Sequence, residues 1–376
     1  MAYDFKAGTL SKNNLVGILG TTTEKELGLM EVTSKTDWIT KLGLKGFSTG
    51  PTGEWKNEWL SVYQFLDYGD FTCYIGSTGS TGTYITQSTT NTPLHNKSLV
   101  EIDVVFDCGT TFSAEGAKRI AENRNDCLAL IGNYKNITTP IASNYSDEET
   151  DFGITFSSSE YVFLVAGRKQ VDSKVSTNLS WPSSYVTINC SPDVAGIMAY
   201  NTDESGLFTP AAGIGNTKAI KNIVSLTQYL SDTESSNLIS NDINVVKQYP
   251  GIGTFMLGNK TYKGGTSSVT RANVMILVNN INREVKKILQ RYLYKENNAT
   301  TRNSVRTEVT NTLNNTLSAA GGAVTGTVKC DAENNTSATQ LTVQITLTVP
   351  SISETINLIL INNQTGETLT TTTITN

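Results

Sequence analysis

LVEIDVVF (residues 99–106), FSAEGAKRIAENR (112–124) and CLALI (127–131) stand in close succession in the first half of the chain. The outer two are short apolar runs of strand length, and the middle one is helical in spacing. The stretch therefore reads strand, helix, strand. Strands alternating with helices imply a mainly parallel sheet with helices on its faces. Downstream, a polar acidic loop at 144–151 precedes an apolar strand, Tyr161 to Ala166. Another strand follows at Val186 to Cys190, then a helix from Pro192 to Tyr200, begun by Ser191 with proline in its first turn.

Upstream, residues 1–12 are polar and lack periodicity, and they read as an arm. Leu15 to Leu19 is a short buried-strand candidate closed by Gly20. Thr36-Asp37 is placed to cap a helix carrying Trp38, Ile39 and Leu42. Trp55 to Tyr68 puts Trp59, Val62, Tyr63 and Leu66 on one helical face, with Gly69 just past its end. Phe71 to Ile75 reads as a strand. Gly76 to Lys97 is rich in Ser, Thr and Gly and reads as a junction. The expected division is an arm (1–12), a small α/β unit (13–77), a linker (78–97), a larger α/β domain (98–255), a C-terminal domain (256–362) and a second arm (363–376). The fold class is thus α/β and α+β, in several domains.

The last third changes character. Val274, Leu277, Val278, Ile281, Val285, Ile288, Leu289 and Tyr292 follow three-four spacing and predict a long helix over Ala272 to Leu293. Val305, Val309, Leu313 and Leu317 predict a second helix over Thr301 to Ser318, stopped by Gly321-Gly322. Leu341 to Val349 alternates apolar and polar residues as a half-buried strand does. Thr355, Ile356, Leu358 and Leu360 belong to a more apolar strand. The terminal run with Leu369, Thr371, Thr373 and Ile374 has high β propensity but little to build a core from. Such a strand needs an edge to join, in its own domain's sheet or in a neighbouring molecule through strand addition, and is otherwise a frayed terminus.

The 376 residues carry 29 Lys+Arg against 34 Asp+Glu, a net charge of −5, and only 17% are charged. A mildly acidic chain does not present the basic face of a nucleic-acid binder. It holds no run of apolar residues long enough for a transmembrane helix, and its first residues do not read as a secretory signal. Cys73, Cys108, Cys127, Cys190 and Cys330 are scattered and never spaced C-x-x-C, which fits reduced, buried thiols rather than disulfides or zinc.

The sole histidine, His95, lies in a polar loop, so serine- and cysteine-nucleophile machinery lacks its proton carrier. Asp147, Glu148, Glu149 and Asp151 lack calcium-loop spacing. Neither Gly213-Ile214-Gly215 nor Gly251-Ile252-Gly253 completes a phosphate-binding signature. No catalytic group, metal or cofactor emerges. Lys286, Lys287 and Arg291, with Lys295, cluster in the C-terminal half of the long helix, where they complement the helix dipole or form a docking face for an acidic partner.

One stretch carries a family resemblance. Leu226-Thr227-Gln228-Tyr229-Leu230-Ser231-Asp232-Thr233-Glu234 leads to Leu238 and Asn241-Asp242-Ile243-Asn244-Val245-Val246. Tyr249-Pro250-Gly251-Ile252-Gly253 then runs into Leu257-Gly258-Asn259-Lys260-Thr261. This resembles the signature of tail sheath proteins of contractile-tailed bacteriophages. The long helix, the second helix, Cys330-Asp331 and the strand from Glu354 to Leu360 follow in the same order. Ser191-Pro192-Asp193-Val194-Ala195-Gly196 is a weaker match upstream. The chain departs from the pattern at Leu257 and Lys260, and at Leu293 to Asn297 after the long helix.

The resemblance implies a structural protein and no enzyme: hexameric discs stacked helically around an inner tail tube, contracting when a baseplate triggers it. It implies a subtilisin-like middle domain without a catalytic triad, and a tube-facing C-terminal domain with two helices and a sheet. Its partners would be further copies of itself, the tube protein, and baseplate and tail terminator proteins, with no direct nucleic-acid contact and no membrane insertion. Assembly would take place in the host cytoplasm, and the product would be part of a virion tail. The alternative is the sheath of a phage-like injection machine, such as an R-type pyocin. Extended arms join neighbouring subunits in such proteins, a role that suits the strands at 355–360 and 369–374. The cluster Lys286, Lys287 and Arg291 becomes the candidate tube-docking face.

Overall fold

The computed structural model describes residues 4–11, 29–42, 54–77, 93–109, 111–132, 157–172, 185–215, 217–265, 270–320, 324–337, 340–350, 355–361 and 368–375. In chain order, β1 (Lys6–Ser11) and β2 (Leu29–Val32) precede α1 (Lys35–Leu42), α2 (Glu54–Phe65) and β3 (Thr72–Ser77). Next come β4 (Val104–Phe106), α3 (Thr111–Arg124), β5 (Leu128–Gly132), β6 (Val162–Ala166), β7 (Arg168–Asp172) and β8 (Tyr185–Asn189). They are followed by α4 (Ser191–Ser205), β9 (Ser225–Leu226), α5 (Asp232–Ser240), β10 (Ile243–Tyr249) and β11 (Gly253–Leu257). The last third holds α6 (Ala272–Gln290), α7 (Ala299–Ala319), β12 (Thr325–Lys329), β13 (Gln344–Thr348), β14 (Thr355–Ile361) and β15 (Thr368–Thr375).

An eight-stranded sheet in the order β11-β10-β6-β5-β4-β1-β3-β2 organises the protein. The six inner strands are mutually parallel, and β11 and β2 close the two edges antiparallel. Both faces of a parallel sheet are covered, so its strands are apolar throughout; every residue of β4, β5 and β6 is buried. Val104, Phe106, Leu128, Leu130, Phe163 and Val165 share a core with α2 and α4. Val105, Ala129, Ile131, Val162 and Leu164 face the other way, against Ala114, Ala117, Ile120 and Ala121 of α3 and Leu238 of α5. The smaller three-stranded sheet β8-β7-β9 is antiparallel.

The expected N-terminal division does not survive this topology. Residues 6–11, read as part of an arm, form a strand between β4 and β3. Its small residues are the reason: Ala7, Gly8 and Thr9 are buried, and Thr9 Oγ1 donates to the Phe106 carbonyl at 3.0 Å. Residues 29–77 likewise add β2 and β3 to the same sheet rather than building a separate unit. The 78–97 segment therefore does not divide two sheets; of it, 93–97 are described, and Leu94 is buried. The strand expected at Leu15 to Leu19 and the acidic residues Asp147, Glu148, Glu149 and Asp151 lie outside the described residues. The strand expected over Leu99 to Phe106 shortens to 104–106, with Leu99 in an exposed turn. Helix α1 is capped by Ser34, whose Oγ accepts from Asp37 N at 3.0 Å, not by Thr36 or Asp37.

The stretch 226–261 has a local physical reading. Ser231 and Glu234 form a reciprocal capping box on α5. Asn244 is buried and ties three pieces: its Nδ2 donates to the Leu164 and Lys260 carbonyls at 3.0 and 2.8 Å, and its Oδ1 accepts from Lys260 N at 2.8 Å. Gly258 has a φ of 85°, and a Cβ there would meet Asn244 Oδ1 at 2.6 Å. β10 and β11 form a hairpin that the sequence reading had passed over as strands.

Helices α6 and α7 match their sequence periodicity closely. Val305, Val309, Leu313 and Leu317 form the buried stripe of α7, and Asn298 caps it by accepting from Thr301 N at 2.9 Å. β12 pairs with β13 antiparallel, and Gly326 of β12 lets Leu313, Leu317 and Leu347 close over it.

α2 and α4 cross closely at Gly196, where an added Cβ would lie 2.8 Å from the Phe65 carbonyl oxygen. Gly196→Ala is expected to destabilise the protein by about 1–3 kcal/mol through overpacking. Urea denaturation checks this, the outcome being a lower midpoint at an unchanged slope.

Candidate assembly surfaces and the polar ties behind them

The C-terminal ends of parallel strands are where α/β proteins place their chemistry. Here that position is filled by the chain's own polar groups. Asp107, just past β4, accepts from Gly132 N at 2.8 Å, Asn189 Nδ2 at 2.8 Å, Gly109 N at 3.0 Å and the Ser191 hydroxyl. Arg168 Nε orients Asn189 by donating to its Oδ1 at 2.9 Å. Burial pushes the Asp107 carboxyl above its ordinary value, while the hydrogen bonds from Ser191, Gly132, Gly109 and Asn189 pull it back. His95 lies beside Arg124, at the other end of the strands, and burial together with that guanidinium lowers its basicity. Asp107 and Ser191 are thus brought together without an imidazole between them.

A second buried carboxylate fastens the C-terminal helices to the sheet. Asp103, just before β4, accepts the β1 backbone through Lys6 N at 2.9 Å, and its other oxygen is paired with Arg283 Nη2. Arg283 Nη1 also donates to the Ile102 carbonyl at 2.6 Å. One turn further along α6, Lys287 pairs with Glu101 at 2.8 Å. Sequence reading missed Arg283. Its signal is a second stripe on α6, where Ile276, Asn279, Asn280 and Arg283 are buried beside the main apolar one. A third tie joins α2, α4 and β7: Lys169 Nζ donates to Asp193 Oδ1 at 2.7 Å and Gln64 Oε1 at 3.0 Å, and Tyr68 Oη donates to the same Asp193 oxygen at 3.0 Å.

The basic cluster on α6 is largely neutralised within the chain. Lys287 pairs with Glu284 as well as Glu101, each at 2.8 Å, and Arg291 pairs with Glu308 at 2.8 Å. Lys286 is exposed. Helix spacing revealed the three cations, but not partners contributed by residue 101 and by α7.

The two strand groups singled out in the sequence come together. β14 and β15 pair antiparallel, with Thr355 opposite Thr375, Ile356 opposite Ile374, Leu358 opposite Thr372, Ile359 opposite Thr371 and Leu360 opposite Thr370. Thr373 faces Asn357, and Leu369 sits at the register shift beside Leu360 and Ile361. Of the two edges left open by the sequence, the terminal strand takes its own chain's. Among the described residues this ribbon pairs with no other strand.

No family model matches the chain. It is 28% identical over 233 residues to the tail sheath protein of Enterobacteria phage T4, covering 58% of this chain and 33% of that one. The chain thus spans about a third of that curated relative. Among solved structures it matches a chain of the sixfold-symmetrised baseplate of the anti-feeding prophage at a TM-score of 0.67 and 14% identity, covering 96% of this chain and 94% of the other. It matches the contracted sheath of an extracellular contractile injection system, PVC, at 0.65 and 16% identity, covering 96% and 91%. The resemblance to phage tail sheath proteins therefore holds in sequence, and the mixed α/β fold is that of contractile sheath assemblies.

Arg283→Met leaves a buried carboxylate without its cation, and is expected to cost about 3–5 kcal/mol in urea unfolding, part of it recovered in Arg283→Met/Asp103→Asn. For Asp107, a folded value above the unfolded one means that the folded state holds the extra proton. Its contribution to stability is complete below the ordinary carboxylate value and is lost as pH rises through the raised one. The stability difference between wild type and Asp107→Asn should accordingly shrink as pH rises across the interval between the two values. A difference that widens over that interval contradicts the assignment.

Proposed function

We propose that the chain is the structural subunit of a contractile sheath, assembled as stacked hexameric discs around an inner tube that it drives through a host envelope on contraction. The observation that carries this reading is the match of fold along nearly the whole chain to proteins of assembled contractile particles. The particle is a phage tail, formed in the host cytoplasm and completed by tube, baseplate and terminator proteins. The sheath of a phage-like injection machine is the second reading, favoured by the fold neighbours in AFP and PVC particles.

In this reading the subtilisin-like order of the middle layer is a scaffold. The plugged site at Asp107, Asn189 and Ser191 supports that, because a buried hydrogen-bonded carboxylate rigidifies a junction and offers no surface to a substrate. Contraction needs no nucleotide: an extended assembly stores packing energy, and subunits released by the baseplate repack into the shorter form.

The β14–β15 ribbon is the linking element between subunits. A two-stranded ribbon is marginal alone, and its open edges offer backbone hydrogen bonds to a neighbour's strand with little demand on side chains. Residues 256–362 face the tube. Docking through Lys286, Lys287 and Arg291 requires Lys287 and Arg291 to exchange Glu101, Glu284 and Glu308 for carboxylates on the tube. Exposed exchanges of this kind are worth roughly 0–1 kcal/mol each, which favours release during contraction.

Deletion of residues 365–376 removes the whole of β15 and retains β14. The truncated chain is expected to remain a folded monomer by circular dichroism, and to stay in the supernatant under centrifugation that pellets assembled full-length protein. Pelleting of the truncated chain as regular tubes would contradict linkage through the ribbon.

A further inference from the structure

Among the described residues the eight-stranded sheet ends at β11 on one side and at β2 on the other. The last strand of a sheet presents a row of main-chain groups to which a strand of another chain can add. The β11 edge is closed by the chain's own backbone: Ile220 N donates to the Thr254 carbonyl at 2.8 Å, and Gly213 N to the Met256 carbonyl at 3.0 Å. At β2 the same task falls to two side chains.

Glu31 and Thr33 lie two residues apart, so their main-chain groups point to the same side of the strand. The Glu31 carbonyl accepts from Lys41 Nζ at 2.5 Å, and Thr33 N donates to Asp37 Oδ2 at 3.0 Å. Asp37 and Lys41 are themselves an ion pair at 3.2 Å, one turn apart on α1. Together they offer one donor and one acceptor to the strand, as a single residue of a neighbouring parallel strand does. Their position is fixed by Trp38, which is buried, stacks on Trp59 at 6.1 Å between ring centres, and donates from Nε1 to the Trp59 carbonyl at 3.3 Å.

We infer that the Asp37–Lys41 pair guards the β2 edge: it occupies the main-chain groups by which a strand of a second copy would extend the eight-stranded sheet. β2 reads Leu29-Met30-Glu31-Val32, an apolar strand with a single charge, so an unguarded edge here would favour such pairing. A strand added in either direction needs the Glu31 carbonyl and the Thr33 N–H, and finds both taken. The guard acts in any crowded population of copies, whether or not they build a sheath.

Asp37→Ala/Lys41→Ala in the full-length chain removes the guard at unchanged net charge and fills α1 with a good helix former. Glu115→Ala/Arg119→Ala, which removes an ion pair of the same spacing on α3, is the control. Lys41→Met frees only the Glu31 carbonyl, and it carries the test if near-ultraviolet circular dichroism shows the double variant unfolded. Each protein is concentrated, pelleted, imaged by negative-stain microscopy and compared with its own monomer by amide hydrogen exchange. The expected result is irregular, thioflavin-T-binding aggregates from the guard variants alone, in which residues 29–33 gain protection. Guard variants that match the control in amount and form of pellet overturn the inference, as do aggregates in which 29–33 gain no protection. Tubes from the wild type bear on the sheath reading instead, and their absence leaves the comparison of guard variants with control unchanged.

Discussion

One buried carboxylate, Asp103, holds together parts of the chain that are remote in sequence. It accepts the backbone of β1 from the N-terminus and pairs with Arg283 from the middle of α6, while its own strand enters the centre of the sheet. A buried charge is costly to leave unpaired, so this group makes the position of α6 conditional on the completed sheet. Without β1 between β3 and β4, the other seven strands would fall into two groups. Without Arg283, α6 would keep only the more exposed Lys287–Glu101 pair beside its apolar contacts at this end. Such a tie favours movement of sheet and helices together.

The polar ties are distributed with the same economy. Lys169, Asp193, Gln64 and Tyr68 join two helices to the small antiparallel sheet, and Arg124 holds the 93–100 segment through the Leu94 and Val100 carbonyls at 2.6 and 3.0 Å. Asp107 fills the crevice at the C-terminal ends of the parallel strands with the chain's own hydrogen bonds.

Elements defined by local period were legible in the sequence. The strand–helix–strand of 99–131, the proline-started α4 and the stripes of α6 and α7 all follow from apolar spacing. β1 was not, because Ala7, Gly8 and Thr9 are small and carry no apolar alternation; their burial is imposed by neighbours nearly a hundred residues away. The same non-local pairing undid the division at 78–97, since strand order in a sheet does not follow chain order. The basic residues of α6 were visible as a cluster, but Glu101 and Glu308, which decide their net charge, come from other elements. The Thr-rich terminal strand announced its need for an edge without saying which edge.

Polymerisation as a sheath is the function proposed for this chain. The most direct measurement is negative-stain electron microscopy of the purified full-length protein at high concentration, alone and co-expressed with its tube protein. Hollow, cross-striated tubes of sixfold symmetry in either preparation are the predicted result. Dispersed monomers in both preparations, with the tube protein itself assembled and bare, would contradict it.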